Sequence, residues 1–185
     1  MSTNTTSVWR KKLKELEIVV VIPTYNNGKT LAAVIEEVYR YADDIIVIND
    51  GSTDDTANIL EQYPAIRTIT HPVNKGKGTA LKHGLSQAKK EGFRYAITID
   101  SDGQHFASDI PCFIEAIEKE PDTLLVGARN LASDNMPGKN TFANKFSNFW
   151  FRLETGLKLE DTQSGYRLYP LRKMDVQSCW YTADR

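Results

Sequence analysis

Between residues 18 and 126, five short apolar runs alternate with four amphipathic stretches, and this alternation limits the fold more than any other feature of the chain. Ile18-Val-Val-Val-Ile22 is a run of β-branched residues, the pattern of a strand buried on both faces. Ile45–Ile48, Ile66–Thr70, Tyr95–Ile99 and Thr123–Val126 are the other strand candidates. Between them, Gly28–Ala42 places Leu31, Val34, Ile35, Val38 and Tyr39 on one helical face. Asp54–Tyr63 opens on acids, which suits a helix dipole. Lys77–Lys90 turns Leu81, Leu85 and Ala88 inward, and Ser108–Glu118 aligns Ile110, Phe113, Ile114 and Ile117. Strands alternating with helices require crossover connections, so the expected fold is α/β, Rossmann-like, with a mostly parallel central sheet and helices on both faces. A length of 185 residues suits one domain over 17–185, preceded by a polar N-terminal arm, loose or a short helix, over 1–16. Residues 131–140 read as a loop.

In such sheets ligands bind beyond the carboxyl ends of the strands. The unusual polar residues of this chain fall there. Pro23-Thr-Tyr-Asn-Asn27 follows the first strand, Asn49-Asp-Gly-Ser-Thr-Asp-Asp55 the second and His71-Pro-Val-Asn-Lys-Gly-Lys-Gly78 the third. Asp100-Ser-Asp-Gly-Gln-His105 follows the fourth and Gly127-Ala-Arg-Asn130 the fifth, so five loops are expected along one sheet edge. Two apparent motifs fail. Gly28-Lys-Thr30 lacks the glycine a P-loop needs five residues earlier, because position 23 is proline. Gly76-Lys-Gly78 follows the third strand rather than the first, which disfavours a hydride-transferring dehydrogenase.

Asp100 and Asp102 set two carboxylates directly after a strand, where their mutual repulsion and desolvation are costly. A divalent cation offsets that cost; Mg²⁺ typically takes one or two carboxylates plus phosphate oxygens and water, and Mn²⁺ accepts the same ligands. Bound to a diphosphate, such a cation stabilises the charge that grows on a departing nucleotide. Alone, Asp-Ser-Asp-Gly is only an acidic turn. Its place at a central strand end, flanked by Gln104 and His105, favours the metal reading for Asp100, Asp102 and Gln104. His105 is balanced between a ligand and a supporting role. Asp50 is placed to accept a hydrogen bond from a base or ribose, while Asp54 and Asp55 fit helix capping. Lys77 opens a helix, where the dipole disfavours a cation, and this favours a phosphate-neutralising role. His71 and His83 read as structural or solvent-facing.

The net charge of −1 provides no global field to attract nucleic acid. Cys112 and Cys179 are far apart and form no CxxC, so neither a disulfide framework nor a zinc site is expected. The apolar helix pattern around Cys112 suggests a buried thiol. Met1–Lys14 is polar and then basic, unlike a secretory signal, and no apolar run reaches membrane-span length. A cytoplasmic setting is expected, with room for peripheral contact at the cytoplasmic face of a membrane and for a homo-oligomer.

Val19-Val-Val-Ile-Pro-Thr-Tyr-Asn26, Val47-Ile-Asn-Asp-Gly-Ser-Thr-Asp-Asp-Thr56, Asn74-Lys-Gly-Lys-Gly78, Ile99-Asp-Ser-Asp-Gly-Gln104, Gly127-Ala-Arg129 and Asp161-Thr-Gln-Ser-Gly-Tyr-Arg167, in that order, resemble the family 2 inverting glycosyltransferases. The nearest resemblance is to the dolichyl-phosphate mannose synthase-like branch, and it runs from about residue 17 to the chain end. It implies a GT-A nucleotide-diphospho-sugar transferase fold and a Mg²⁺- or Mn²⁺-dependent hexosyltransferase. Such an enzyme moves sugar from a UDP- or GDP-sugar to a polyprenyl phosphate, in cell envelope glycan biosynthesis. By the same resemblance Pro23, Tyr25 and Asp50 hold the nucleoside, Lys77 sits near the nucleotide, and Thr24, Asn26, Asp100, Ser101 and Asp102 complete the nucleotide-sugar site. Asp102 is the stronger metal ligand, with Gln104 as helper. Arg129 faces a phosphate, Asp161 serves catalysis, and Gln163, Ser164 and Lys145 face the acceptor.

A hydroxyl acceptor needs a general base, which Asp161 could supply. A lipid phosphate is largely ionised above about pH 6, so there Asp161 would position groups instead. The lipid-phosphate branch often carries arginines in the helix before this motif, whereas here the basic candidates are Lys139, Lys145 and Arg152. Phe142, Phe146, Phe149, Trp150 and Leu153 share a helical face that reads as core. The QxxRW motif of processive synthases is absent. The rivals are transfer to a hydroxyl of a cell-surface glycan or glycolipid, a sugar-nucleotide pyrophosphorylase, and a non-catalytic nucleotide-sugar binding module. The pyrophosphorylase would need a glycine-rich, arginine-bearing loop after the first strand. The binding module would be expected to lose the metal carboxylates or Asp161. More chain is expected after Arg185 in the natural protein.

Overall fold

In the computed structural model, which describes residues 3–127 and 165–174, each of the five apolar runs contributes a strand. β1 (Ile18–Thr24) is flanked by β2 (Ile45–Asn49) and β4 (Tyr95–Thr98), and β3 (Arg67–Thr70) lies outside β2; all these pairings are parallel. β5 is short, Leu125–Val126. It does not pair with β4. A strand absent from the sequence expectation, β6 (Arg167–Pro170), lies between them and is antiparallel to both, giving the order β3-β2-β1-β4-β6-β5. Two antiparallel steps return β5 to the direction of β4, so its carboxyl end shares their edge.

Every residue of β1 is buried, as continuous β-branching demands. Alternate side chains serve two cores. Val20, Ile22, Ile45, Val47 and Ile97 pack with α1 (Thr3–Glu15), α2 (Leu31–Tyr39), α3 (Thr56–Glu61) and α5 (Ile110–Lys119). Val19, Val21, Ile46 and Ile48 pack against Ala80, Leu85 and Ala88 of α4 (Lys77–Lys90). The outer strand β3 alternates half-buried and exposed residues, and Arg67 there pairs with Asp44 and Glu91.

The start of the chain is helical from Thr3, and Leu13 carries α1 into the core. Cys112 corrects the expectation of a buried thiol: it is exposed. At about 100° per residue, position 112 turns away from the buried face of Ile110, Phe113, Ile114 and Ile117.

Candidate active site

The loop after β4 is fixed through its middle residue. Ser101 is 2% exposed; its hydroxyl donates to Pro23 O (3.1 Å) and accepts from Asn27 Nδ2 (2.8 Å), while Thr30 Oγ1 donates to its carbonyl (2.6 Å). This bonding leaves the acids on either side to face the cavity. Asp100 meets Lys77 through both oxygens, at 2.7 and 2.8 Å, and His105 Nε2 stands 4.0 Å from Oδ2. Behind it lies Gly165, where an added Cβ would fall 2.2 Å from Asp100 Oδ2. Asp102 is exposed, and its Oδ1 accepts the Gln104 N–H at 2.9 Å.

At the end of β2, Asp50 is buried. Its Oδ1 accepts from His71 Nδ1 (2.6 Å) and from the Lys75 N–H (3.0 Å). His71 Nε2 in turn meets His83 Nδ1 at 2.7 Å. The first two loops are joined to each other. Asn26 donates its N–H to Ser52 Oγ and accepts the Thr53 N–H, and Asp54 accepts N–H groups from both Gly28 and Thr56. The Thr56 hydroxyl, the largest influence, with these N–H groups holds the Asp54 carboxyl below the usual carboxylate range.

These loops enclose a cavity of about 280 Å³ lined by Pro23, Thr24, Tyr25, Asn27, Asp50, Asn74, Gly76, Lys77, Ala80, Asp100, Ser101 and Asp102. Four strand ends thus converge as the strand-end rule requires. Asn26 and Gln104 lie outside the lining; their described hydrogen bonds shape the loops. Asn27 and Asn74 carry no individual assignment in the sequence, although each lies in a strand-end loop; His71 and His83, expected to be structural or solvent-facing, form a bonded pair behind Asp50, with His71 buried. Arg129, Lys145, Asp161, Gln163 and Ser164, the expected catalytic and acceptor residues, lie outside the described residues. A larger cavity, about 880 Å³, lies between α1 and α2 with Arg10, Lys11, Lys14 and Arg40 in its lining, away from the strand ends.

Residues 19–175 match the description of glycosyl transferase family 2. The chain belongs to that family. Among curated relatives, it is 30% identical over 181 residues to a UDP-N-acetylglucosamine–dolichyl-phosphate N-acetylglucosaminyltransferase of Methanococcus voltae, covering 87% of this chain and 72% of that one. It is 27% identical over 172 residues to a polyprenol monophosphomannose synthase of Mycolicibacterium smegmatis, covering 86% and 64%. A crystal structure of glucosyl-3-phosphoglycerate synthase from Mycobacterium tuberculosis with Mn²⁺, UDP-glucose and phosphoglyceric acid superposes with a TM-score of 0.68. That match is 22% identical and covers 93% of this chain and 61% of that one, a likeness of fold. Other curated relatives are spanned for about half their length, 52%. This family 2 chain therefore has a GT-A glycosyltransferase domain, with the mostly parallel sheet that its alternating sequence pattern implies.

Proposed function

We propose that this domain is the catalytic part of an inverting glycosyltransferase that takes a hexose from a UDP- or GDP-sugar and transfers it to a polyprenyl phosphate. One observation carries the donor half. The cavity has a buried carboxylate, Asp50, at the end of β2, and a second, charged group of Asp100, Asp102 and Lys77 beyond β4. A nucleotide-sugar is built in the same order, with a hydrogen-bonding base at one end and a diphosphate at the other. Asp50 accepts from the base; Lys77 releases Asp100 and turns to phosphate.

The donor set suits Mg²⁺ or Mn²⁺. Asp100 and Asp102, which flank a single residue, would hold the ion, with diphosphate oxygens and water as its remaining ligands. Asp102 would be the stronger ligand because it is exposed and, among the described residues, has no ion pair, whereas Asp100 begins in an ion pair with Lys77. When bound, the cation supplies charge stabilisation for the leaving nucleoside diphosphate. The chain's own residues orient the donor: Ser101 holds the two acids apart, and Tyr25, exposed beside the cavity, flanks the nucleoside. The lipid-phosphate acceptor rests on the two curated relatives named for dolichyl or polyprenol phosphate. Transfer to a glycan or glycolipid hydroxyl is the second reading. Peripheral membrane contact follows from the preferred acceptor, and among the described residues no helix is long and apolar enough to cross a membrane.

Calorimetry with UDP and GDP in Mn²⁺, in Mg²⁺ and in chelator tests the donor half. Asp102→Ala is expected to abolish the metal-dependent part of nucleotide affinity, about ten-fold or more. Undiminished metal-dependent binding in that variant refutes the assignment.

A further inference from the structure

Asp50 ends a polar chain whose other members, His71 and His83, make none of the donor contacts proposed for the cavity. Its Oδ1 already accepts two hydrogen bonds, from His71 Nδ1 and the Lys75 N–H, while Oδ2 accepts none among the described residues and Asp50 lines the cavity. An ionised carboxylate can only accept, so the proton of this 2.6 Å contact sits on His71 Nδ1. On the far side of the ring, Nε2 shares one proton with His83 Nδ1 across 2.7 Å, and the two rings meet edge-on, 4.8 Å apart at 90°. Burial, then the charges of His71, Lys75 and Lys82, push the His83 pKa down against the opposing pull of Asp50. That direction favours a neutral His83. Its position is set by helix–sheet packing. Gly84, the next residue, lies so close to the sheet that an added Cβ would fall 2.5 Å from Ile48 Cδ1.

We propose that His71, backed by His83, is a positioning residue for the donor's base: it occupies Asp50 Oδ1 and so presents Oδ2 to the cavity as one fixed acceptor for a nucleobase N–H. This rests on the reading that Asp50 meets the base. A carboxylate free to rotate would lose orientational entropy on binding and share its lone pairs with water; one held from behind is pre-organised. His71 is 4% exposed and His83 half-buried, which suits action through Asp50 rather than contact with the nucleotide.

The test uses the full-length protein, with UDP and GDP titrated calorimetrically into wild type, Asp50→Asn, His71→Leu, His71→Asn and the Asp50→Asn, His71→Leu double variant. Circular dichroism and thermal midpoints verify folding. Asparagine puts an amide N–H close to where Nδ1 lies, so His71→Asn keeps the donor to Asp50 and loses only the link to His83. Asp50→Asn and His71→Leu are each expected to weaken nucleotide binding about ten-fold or more, the scale of a lost hydrogen bond to a charged group. The double variant is expected to be no weaker than the weaker single one, and His71→Asn to recover most of the affinity. In wild type, long-range ¹H–¹⁵N spectra are expected to show His71 protonated at Nδ1, with a signal that moves when nucleotide is added. If His71→Leu folds poorly, that spectrum decides, and a bare Nδ1 overturns the proposal. So does a His71→Leu loss within about two-fold of wild type beside a full loss in Asp50→Asn, or losses that multiply in the double variant. Unchanged binding of both nucleotides by Asp50→Asn overturns the base-site reading and the proposal together.

Discussion

At Asp100 three parts of the chain meet. α4 brings Lys77 to 2.7 Å, the loop after β4 brings His105 to 4.0 Å, and Gly165 stands behind the carboxylate with no room for a side chain. The sequence alone placed Asp100, Asp102, Lys77 and Asp50 together, because strand-end loops of a parallel sheet share an edge. It could not show that Lys77 pairs with Asp100, 23 residues away, or that Ser101 is the fastening between two such acids. Gly165→Ala tests the crowding. Its Cβ would fall 2.2 Å from Asp100 Oδ2, so the carboxylate must move. The variant is expected to lose about 1–3 kcal/mol of stability, the usual range for overpacking, and to bind nucleotide more weakly. Thermal unfolding and calorimetry measure the two effects, and an unchanged midpoint with unchanged affinity would show that Asp100 has slack.

Among the elements, α4 carries Lys77 at its start and His83 midway, so its seat on the sheet sets both ends of the proposed donor site. Gly84→Ala should raise helix propensity by about 0.8–1.0 kcal/mol, yet the new methyl would meet Ile48 Cδ1 at 2.5 Å and Val21 Cγ1 at 2.7 Å. Overpacking is expected to win, with net destabilisation of about 1 kcal/mol or more in urea unfolding. Asp54 ties the start of α3 to the loop before α2. Its pKa is depressed in the folded chain, so its contribution is complete above the unfolded carboxylate value, about pH 4, and is lost as pH falls through the lower folded value. Asp54→Ala is therefore expected to lower the thermal midpoint near neutral pH by a constant amount, and the gap to wild type should close below about pH 4. A gap independent of pH would remove the carboxylate from the explanation.

For the molecule as a whole, the acceptor is the decisive test. The full-length protein is expected to transfer radiolabelled sugar from UDP- or GDP-sugars to a polyprenyl phosphate, whose second proton is lost near pH ~6. Transfer should then continue at neutral pH without a rate limit set by deprotonation of the acceptor. A screen that includes hydroxyl acceptors settles the choice: transfer to hydroxyls only would replace the lipid-phosphate reading with the glycan one.

By itself the sequence determined the alternating α/β order, the doubly buried strands, the edge on which the site lies and the family. Each of these rests on local periodicity or on motifs of adjacent residues. Strand β6 escaped because Arg167-Leu-Tyr-Pro170 is short and contains a proline and a charge, and its place beside β4 depends on pairing across some 70 residues of chain, as in the Thr98–Arg167 register. Cys112 misled for a related reason: an apolar neighbourhood in sequence covers all sides of a helix, whereas packing buries only one. Tertiary structure alone decided which groups touch within the site. The Lys77–Asp100 pair and the Asp50–His71–His83 chain join side chains from different loops and helices, and such partners are chosen by how closely α4 packs on the sheet rather than by any pattern along the chain.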